Sequence, residues 1–226
     1  GFGLVAHLVG NSLLDLAEHC LDNVLDSDVS DVVLKADCLS LACAVARLRG
    51  DLPSAIGYAE ECLRIDRESG DDANISSSLN NIAGLYMTYG DAATARKYID
   101  EALEIEEGLG RSAYLAVRYG VAAEIYLHQG LYAEALDFAD KALKLDSLDN
   151  RIGKIAVRRS QKAEVLISMD RDDEALVELA SAVPVFREMN NLNSLAISLA
   201  QTGEILMKKG QVRQSADAFL ESIKVC

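Results

Sequence analysis

Apolar residues recur in this chain with the spacing of an amphipathic helix, and turn residues interrupt them at regular intervals. Leu79, Ile82, Ala83 and Tyr86 fall at i, i+3, i+4 and i+7, which places them on one face of a helix. Gly90 then breaks the pattern, because glycine readily ends a helix in the left-handed conformation. A second apolar face follows the break and consists of Ala95, Ile99, Ala102 and Leu103. The pattern predicts two helices joined by a tight turn.

This unit recurs every 40 residues. The turn positions are Gly50, Gly90, Gly130, Asp170 and Gly210. Five residues after each turn stands a small residue, namely Ala55, Ala95, Ala135, Ala175 or Ser215. The joints between units are Ser30, Gly70, Gly110, Asn150 and Asn190. Such a period is typical of an array in which each unit stacks on its neighbours. Below, helix A is the helix before each turn position and helix B is the helix after it.

Two of the units resemble the tetratricopeptide repeat (TPR). The better copy reads Leu79-x-x-Ile82-Ala83-x-x-Tyr86, then Gly90, Ala95, Ile99, Ala102 and Leu103. The next reads Tyr119-x-x-Ala122-Ala123-x-x-Tyr126, then Gly130, Ala135, Ala139, Ala142 and Leu143. The usual tryptophan is absent, and the period is nearer to that of HEAT and armadillo repeats than to the usual TPR length of about 34. The order of small, aromatic, glycine and alanine positions nevertheless favours TPR. Within that family, the string Leu79-Asn80-Asn81-Ile82-Ala83-x-Leu85-Tyr86 and the tail Ala102-Leu103-x-Ile105 resemble the long-repeat kind found in kinesin light chains and bacterial sensor or regulator modules.

The resemblance implies an all-α fold, a right-handed α-α superhelix (TPR solenoid) of antiparallel helix pairs. We expect residues 29–226 to form five repeats in one continuous solenoid, at about 31–70, 71–110, 111–150, 151–190 and 191–226. Residues 1–28 are predicted to form a partial or degenerate capping repeat. No polar closing helix follows the last unit, so we expect the segment to come from a longer protein.

Composition narrows the classes of partner. The formal net charge of -14 argues against a nucleic-acid surface, since phosphate binding needs Lys and Arg, and it suits a basic protein or peptide. No apolar run reaches the ~18 residues of a membrane span. The five cysteines, with no metal-ligand spacing, favour a reducing compartment. We therefore expect a cytoplasmic location, or a periplasmic one if the segment is attached to a membrane sensor.

Two columns of helix A predict a binding strip, because positions three apart share a helix face. The strip consists of Asn81, Glu124, Gln161, Glu164, Gln201 and Glu204. In TPR arrays the A helices line the concave surface, so the resemblance places the strip there. It also implies that Asn81, and with it Gln161 and Gln201, holds the backbone of a bound peptide. The three glutamates would favour a basic side chain or amine.

Two other interpretations of the glutamates stay open. Glutamate is common on any solvated helix face. Arg118 and Arg158 each stand six residues before a strip glutamate, so ion pairs between repeats could also explain the acids.

His128 either edges the groove or interacts with the dipole at the end of its helix. Neighbouring acids such as Glu60 and Glu61 are interpreted as solvated helix faces.

The sequence favours a protein or peptide-binding scaffold that uses the concave face. The alternative is a ligand-sensing or regulatory input domain of a bacterial transcriptional regulator or sensor kinase. We find no nucleophile elbow, phosphate loop or metal-ligand motif, so we expect no enzyme activity, no cofactor and no metal. Uncapped apolar ends of such an array predict a homodimer.

Overall fold

The computed structural model describes residues 32–225, and these residues form ten helices and no strand. The predicted cap at residues 1–28, the joint at Ser30, and Cys20 and Cys226 lie outside this range. The helices are α1 (Val32–Arg49), α2 (Leu52–Ser69), α3 (Asp72–Tyr89), α4 (Ala92–Leu109), α5 (Ser112–His128), α6 (Tyr132–Leu148), α7 (Ile152–Ser168), α8 (Asp172–Glu188), α9 (Leu192–Lys208) and α10 (Val212–Val225). The odd-numbered helices are A helices and the even-numbered ones are B helices.

The described residues form two compact units that divide between Leu109 and Gly110. In the first unit, α1 packs on α2, α2 packs on α3, and α3 packs on α4. In the second unit, α5 to α10 pack in the same sequential way, and the A helix α7 also contacts the A helices α5 and α9. The prediction of five repeats in one continuous solenoid stays a prediction.

The turns form where the sequence places its glycines. Gly50, Gly70 and Gly90 have φ values of 77°, 70° and 92°, in the left-handed region that costs glycine no steric penalty. The aspartate after each glycine caps the next helix. The Asp71 carboxylate, for example, accepts backbone hydrogen bonds from Ala73 and Asn74 at 2.9 and 3.1 Å. Each glycine–aspartate pair therefore ends one helix and begins another.

In the second unit, three residues with side chains occupy the same left-handed conformation: Asn150, Asp170 and Asn190, with φ of 52°, 55° and 53°. Asn and Asp tolerate this region better than other residues with a β-carbon, although less well than glycine. The turn and joint positions predicted from the sequence from Gly50 onwards are thus confirmed, with a small conformational cost at these three.

The small residues of the repeat lie in the core. Five residues after each turn position, the residues are Ala55, Ala95, Ala135, Ala175 and Ser215, and all are completely buried. The Oγ of Ser215 donates to the carbonyl oxygen of Gly203 at 2.7 Å, so the hydroxyl is satisfied where the other copies have alanine. A larger side chain at these positions would push apart two helices that cross closely.

Two further features are the burial of two cysteines and the effect of one proline on its helix. Cys62 is buried but Cys43 is only half-buried, and burial raises the pKa of both thiols. A proline inside a helix tends to kink or shorten it, yet α8 runs from Asp172 to Glu188 with Pro184 inside it. The missing N–H of Pro184 leaves the carbonyl of Ala180 without its helical donor, but Ala180 is exposed and water can bond that oxygen.

Among residues 32–225, no helix combines the length and the apolar composition that crossing a membrane requires.

The positive φ at Asp170 yields a stability prediction. Asp170→Gly should raise the free energy of unfolding by about 0.5 kcal/mol, because glycine relieves the left-handed strain, and Asp170→Ala should lower it by about 1 kcal/mol. Both changes remove the same charge from the end of α7, so the difference between them isolates the backbone effect. Urea unfolding followed by circular dichroism measures it. Gly130→Ala, at the preceding turn position, is the control and should also destabilise; equal stability of the two Asp170 variants would contradict the interpretation.

Candidate functional site: the A-helix face

The second unit presents the strip residues on three A helices. Glu124 lies on α5, Glu164 on α7 and Glu204 on α9, and all three side chains are exposed. Gln161 and Gln201, one helical turn before two of these glutamates, are half-buried. Because α7 contacts both α5 and α9, these side chains lie on adjacent helices. We call this surface the A-helix face, defined by Glu124, Gln161, Glu164, Gln201 and Glu204.

Asn81 lies in the first unit, on α3, where its side chain is exposed. Its predicted role in holding a peptide backbone stays a prediction.

Glu124 and Glu164 interact electrostatically. Part of Glu164 reaches solvent, but protein atoms surround its carboxyl group closely, and this burial raises its pKa. The nearby carboxylate of Glu124 raises the pKa further, while His128 at the end of α5 acts in the opposite direction. The structure therefore brings two acids of the strip close together, and His128 lies near enough to interact with them.

The proposed ion pair between Arg158 and the strip glutamates is not seen. The guanidinium of Arg158 is 6% exposed and its Nε donates to Oδ2 of Asp146 at 3.0 Å. Asp146 itself is 1% exposed and also pairs with Arg151 at 3.0 Å. No ion-pair partner of Glu124, Glu164 or Glu204 occurs within residues 32–225. Arg158 therefore does not neutralise the charges of these glutamates.

Arg158 instead orients a strip amide. Its Nη1 donates to the Oε1 of Gln161 at 2.8 Å, which restrains the orientation of the amide, and the NH2 of Gln161 can donate to a ligand. The arrangement needs Gly120 on the neighbouring α5. A β-carbon at residue 120 would lie only 1.9 Å from Nη1 of Arg158, so a side chain there would displace the guanidinium.

Gln201 occupies the equivalent position on α9 but has no such partner. The residue that corresponds to Arg158 is Ser198, whose Oγ lies 3.1 Å from the Oγ of Ser160. The Oε1 of Gln201 is buried and has no hydrogen-bond partner within the described part of the chain. A buried unpaired acceptor is unfavourable, and a donor from a bound molecule or water would relieve it.

Sequence reasoning found the strip but missed what lies beneath it. Asp146 and Gly120 were not singled out, although each position has a signal in the 40-residue register. Asp146 falls in the same column as Asp66 and Glu106, so an acid recurs near the end of helix B. In the first unit, Asp66 accepts a hydrogen bond from Ser78 at 2.6 Å. Ser78 is the residue equivalent to Arg158 of the second unit. Asp66 and Asp146 therefore each bind the next A helix, whereas Glu106 accepts a hydrogen bond from Ser76 on the A helix of its own pair at 2.9 Å.

The chemistry of the face is that of recognition. It offers carboxylates, amides and the apolar side chain of Ile197, which is 57% exposed on α9. Among the described residues, no group of three His, Cys, Asp or Glu side chains is arranged to hold a metal ion.

The comparisons with known proteins agree with the fold predicted from the sequence. Residues 74–147 match the tetratricopeptide repeat family model. No curated protein sequence matches the chain.

Solved structures match over almost the whole chain at low identity. BtubC (BKLC) from P. vanneervenii has a TM-score of 0.77 at 16% identity, over 95% of this chain and 88% of that one. A second match is a Signal Transduction ATPase with Numerous Domains from Pyrococcus horikoshii, which carries a tetratricopeptide repeat sensor. Its TM-score is 0.80 at 16% identity, over 94% of this chain and 34% of that one. A Rap protein complexed with competence and sporulation factor has a TM-score of 0.78 at 16% identity, over 91% and 57%.

These matches confirm the resemblance. The chain has the all-α fold of a TPR solenoid built from antiparallel helix pairs, and its family match lies on the two units that carry the clearest motif.

The electrostatic effect of Glu124 on Glu164 yields a prediction for the pKa of Glu164. Glu124→Gln should lower the pKa of Glu164 towards its ordinary value, because it removes the neighbouring negative charge. A carboxyl group with a raised pKa in the folded state makes the protein less stable as pH rises through that pKa. Glu124→Gln should therefore lessen the loss of stability between acidic and neutral pH. Carboxyl carbon shifts followed by NMR across this range measure the pKa.

The control for this titration is Glu188→Gln, which removes an exposed acid at the end of α8. It should leave the pKa of Glu164 unchanged. A Glu164 pKa that is the same in the Glu124→Gln variant and the wild-type protein would contradict the interaction.

Proposed function

We propose that this chain is a protein-interaction scaffold that binds a basic peptide or protein segment along the A-helix face. One observation carries the proposal. Glu124, Glu164 and Glu204 recur on three successive A helices of the second unit, all exposed and without ion-pair partners within the described residues. Three uncompensated charges in one register attract a ligand that carries positive charges at a matching repeat.

The amides of the face suit a polypeptide ligand. The NH2 of Gln161 can donate to a backbone carbonyl. The half-buried side chain of Gln201 can accept from a backbone N–H once it turns its unpaired Oε1 towards the ligand. Ile197 adds an apolar contact. The Rap protein that shares the fold is complexed with competence and sporulation factor, which supports a ligand-binding use of this architecture.

The charge hypothesis can be tested with peptides selected on the wild-type protein from a display library. The combined change of Glu124, Glu164 and Glu204 to Gln should weaken binding by about tenfold or more and flatten its dependence on salt, because the attraction is electrostatic. Fluorescence anisotropy of a labelled peptide measures both quantities.

A matched triple variant serves as the control. Glu104, Glu134 and Glu188 are exposed glutamates outside the A-helix face, and changing them to Gln alters the net charge equally. This variant should bind as the wild type does. Equal losses in both triple variants would show a general charge effect and would contradict the proposed site, as would an unchanged affinity in the first.

We also propose a second candidate function, that of a ligand-sensing or regulatory input domain of a bacterial regulator or sensor kinase. Its support is the likeness to a Signal Transduction ATPase whose repeats act as a tetratricopeptide repeat sensor. A helix-turn-helix or kinase segment encoded next to this one would favour it.

We propose, finally, that the outer face of α10 mediates self-association. Ile223 is 72% exposed, whereas its equivalents Leu63 and Leu103 are buried, at 5% and 6% exposure. Val212 and Leu220 extend the apolar surface along α10, at 60% and 55% exposure. An exposed apolar surface of this kind is typical of an interaction site.

The self-association can be tested by light scattering at increasing protein concentration. The wild-type protein should show a concentration-dependent dimer, and Ile223→Glu should shift it towards the monomer, because burying a charge in an apolar interface is unfavourable. Ile197→Glu, which changes another exposed isoleucine, on α9, is the control and should dimerise normally. A wild-type protein that is monomeric at every concentration would contradict the proposal.

A further inference from the structure

The first unit contains a groove between its two B helices, α2 and α4, with a volume of about 520 Å³. It is lined by Glu60, Leu63, Arg64, Arg67, Glu68 and Tyr98. Two contacts cross it. Tyr98 Oη donates to Glu60 Oε1 at 3.2 Å, and Arg67 Nη2 lies 2.6 Å from Glu101 Oε1. The groove between these contacts is separate from the A-helix face.

Glu60 has one carboxylate oxygen to spare. Its Oε1 accepts hydrogen bonds from two phenols, Tyr86 at 2.9 Å and Tyr98 at 3.2 Å. Its Oε2 has no hydrogen-bond or ion-pair partner within the described residues. Burial and the Glu60 charge raise the pKa of Tyr86 to about 12, so the phenol remains a donor at neutral pH.

The aromatic pair provides a flat surface beside this carboxylate. The rings of Tyr86 and Tyr98 are stacked at 13° with their centroids 5.6 Å apart. Tyr86 covers one side of Tyr98, and Tyr98 lines the groove. A carboxylate next to an aromatic ring is a favourable setting for a guanidinium group, which can form an ion pair and stack at the same time.

The two arginines of the groove are already neutralised. Arg64 pairs with Glu61 at 2.7 Å and also with Glu68. Arg67 pairs with Glu101 on the opposite helix. Glu60 is therefore the lining acid without a cation, and the local charge favours a positive ligand over a negative one.

The second unit shows a cation bound at the equivalent place. Eighty residues further along the chain, Asp140 on α6 corresponds to Glu60, and Glu178 on α8 corresponds to Tyr98. The Nζ of Lys162, from the intervening helix α7, lies 2.7 Å from Asp140 and 3.3 Å from Glu178. In the first unit the residue equivalent to Lys162 is Ile82, which is completely buried and supplies no charge.

We propose that the α2–α4 groove is a binding site for an arginine side chain of a partner polypeptide. The guanidinium pairs with Oε2 of Glu60 and stacks on Tyr98, and so takes the place that Lys162 fills within the chain in the second unit. The apolar part of the arginine side chain lies against Leu63. The site lies in the first unit and shares no residue with the A-helix face.

The test uses Nα-acetyl-arginine amide as the probe, with the uncharged isostere Nα-acetyl-citrulline amide beside it. In amide NMR spectra of the whole chain, the arginine probe should cause saturable shifts in α2 and α4 at millimolar concentration, and the citrulline probe should not. Glu60→Gln should weaken binding about fivefold or more, the scale of a partly exposed charge pair. Tyr98→Phe, which keeps the ring, should retain binding.

Glu104→Gln is the matched control, since it removes an exposed acid of α4 that does not line the groove. It should bind as the wild type does. Equal shifts with citrulline, equal weakening by both glutamate variants, or no saturation would each overturn the proposal. Shifts confined to α5, α7 and α9 would also overturn it, while supporting the A-helix face. Thermal unfolding of the Glu60→Gln variant, followed by circular dichroism, verifies that the variant is folded.

Discussion

The close crossing of helix A and helix B within each pair is the constraint on which the rest of the structure depends. Ala95 and Ala135 are completely buried at this crossing, and no larger side chain fits without separating the helices. Because the small residue recurs at a fixed interval, each pair meets in the same way. The exposed side chains of successive A helices in the second unit then fall into register, and the A-helix face is a consequence of that packing.

Buried polar contacts differ between the repeats, although the helix pairs pack in the same way. Asp146 and Arg158 form an ion pair between α6 and α7, and the same register holds Asp66 and Ser78 in the first unit. An ion pair of this kind is costly to break, since removing either partner leaves a charge without compensation. It contributes specificity in the relative placement of the helices and, through Gln161, in the chemistry presented to a ligand.

The sequence predicts the repeated elements well and the single contacts poorly. Turn positions such as Gly90 and core positions such as Ala95 were predictable because five copies carry the same local signal. The environment of Arg158 was not predictable, because it depends on tertiary contacts. Its guanidinium pairs with Asp146 of the preceding helix and occupies the space that a side chain at Gly120 would fill. The sequence around Glu60 indicates a solvated helix face. The packing of α2, α3 and α4, which the sequence does not reveal, brings the phenols of Tyr86 and Tyr98 to its carboxylate.

The different surroundings of Gln161 and Gln201 have a consequence for how strictly each position selects the ligand group opposite it. Arg158 donates to the oxygen of the Gln161 amide and restrains its orientation, and the N–H groups of that amide can then bind a ligand carbonyl. Ser198 supplies no such restraint to Gln201, whose oxygen has no partner in the described residues. A ligand that runs past both helices therefore meets one amide of restrained orientation and one that no protein partner restrains, and the first discriminates more strongly between a backbone carbonyl and a backbone N–H.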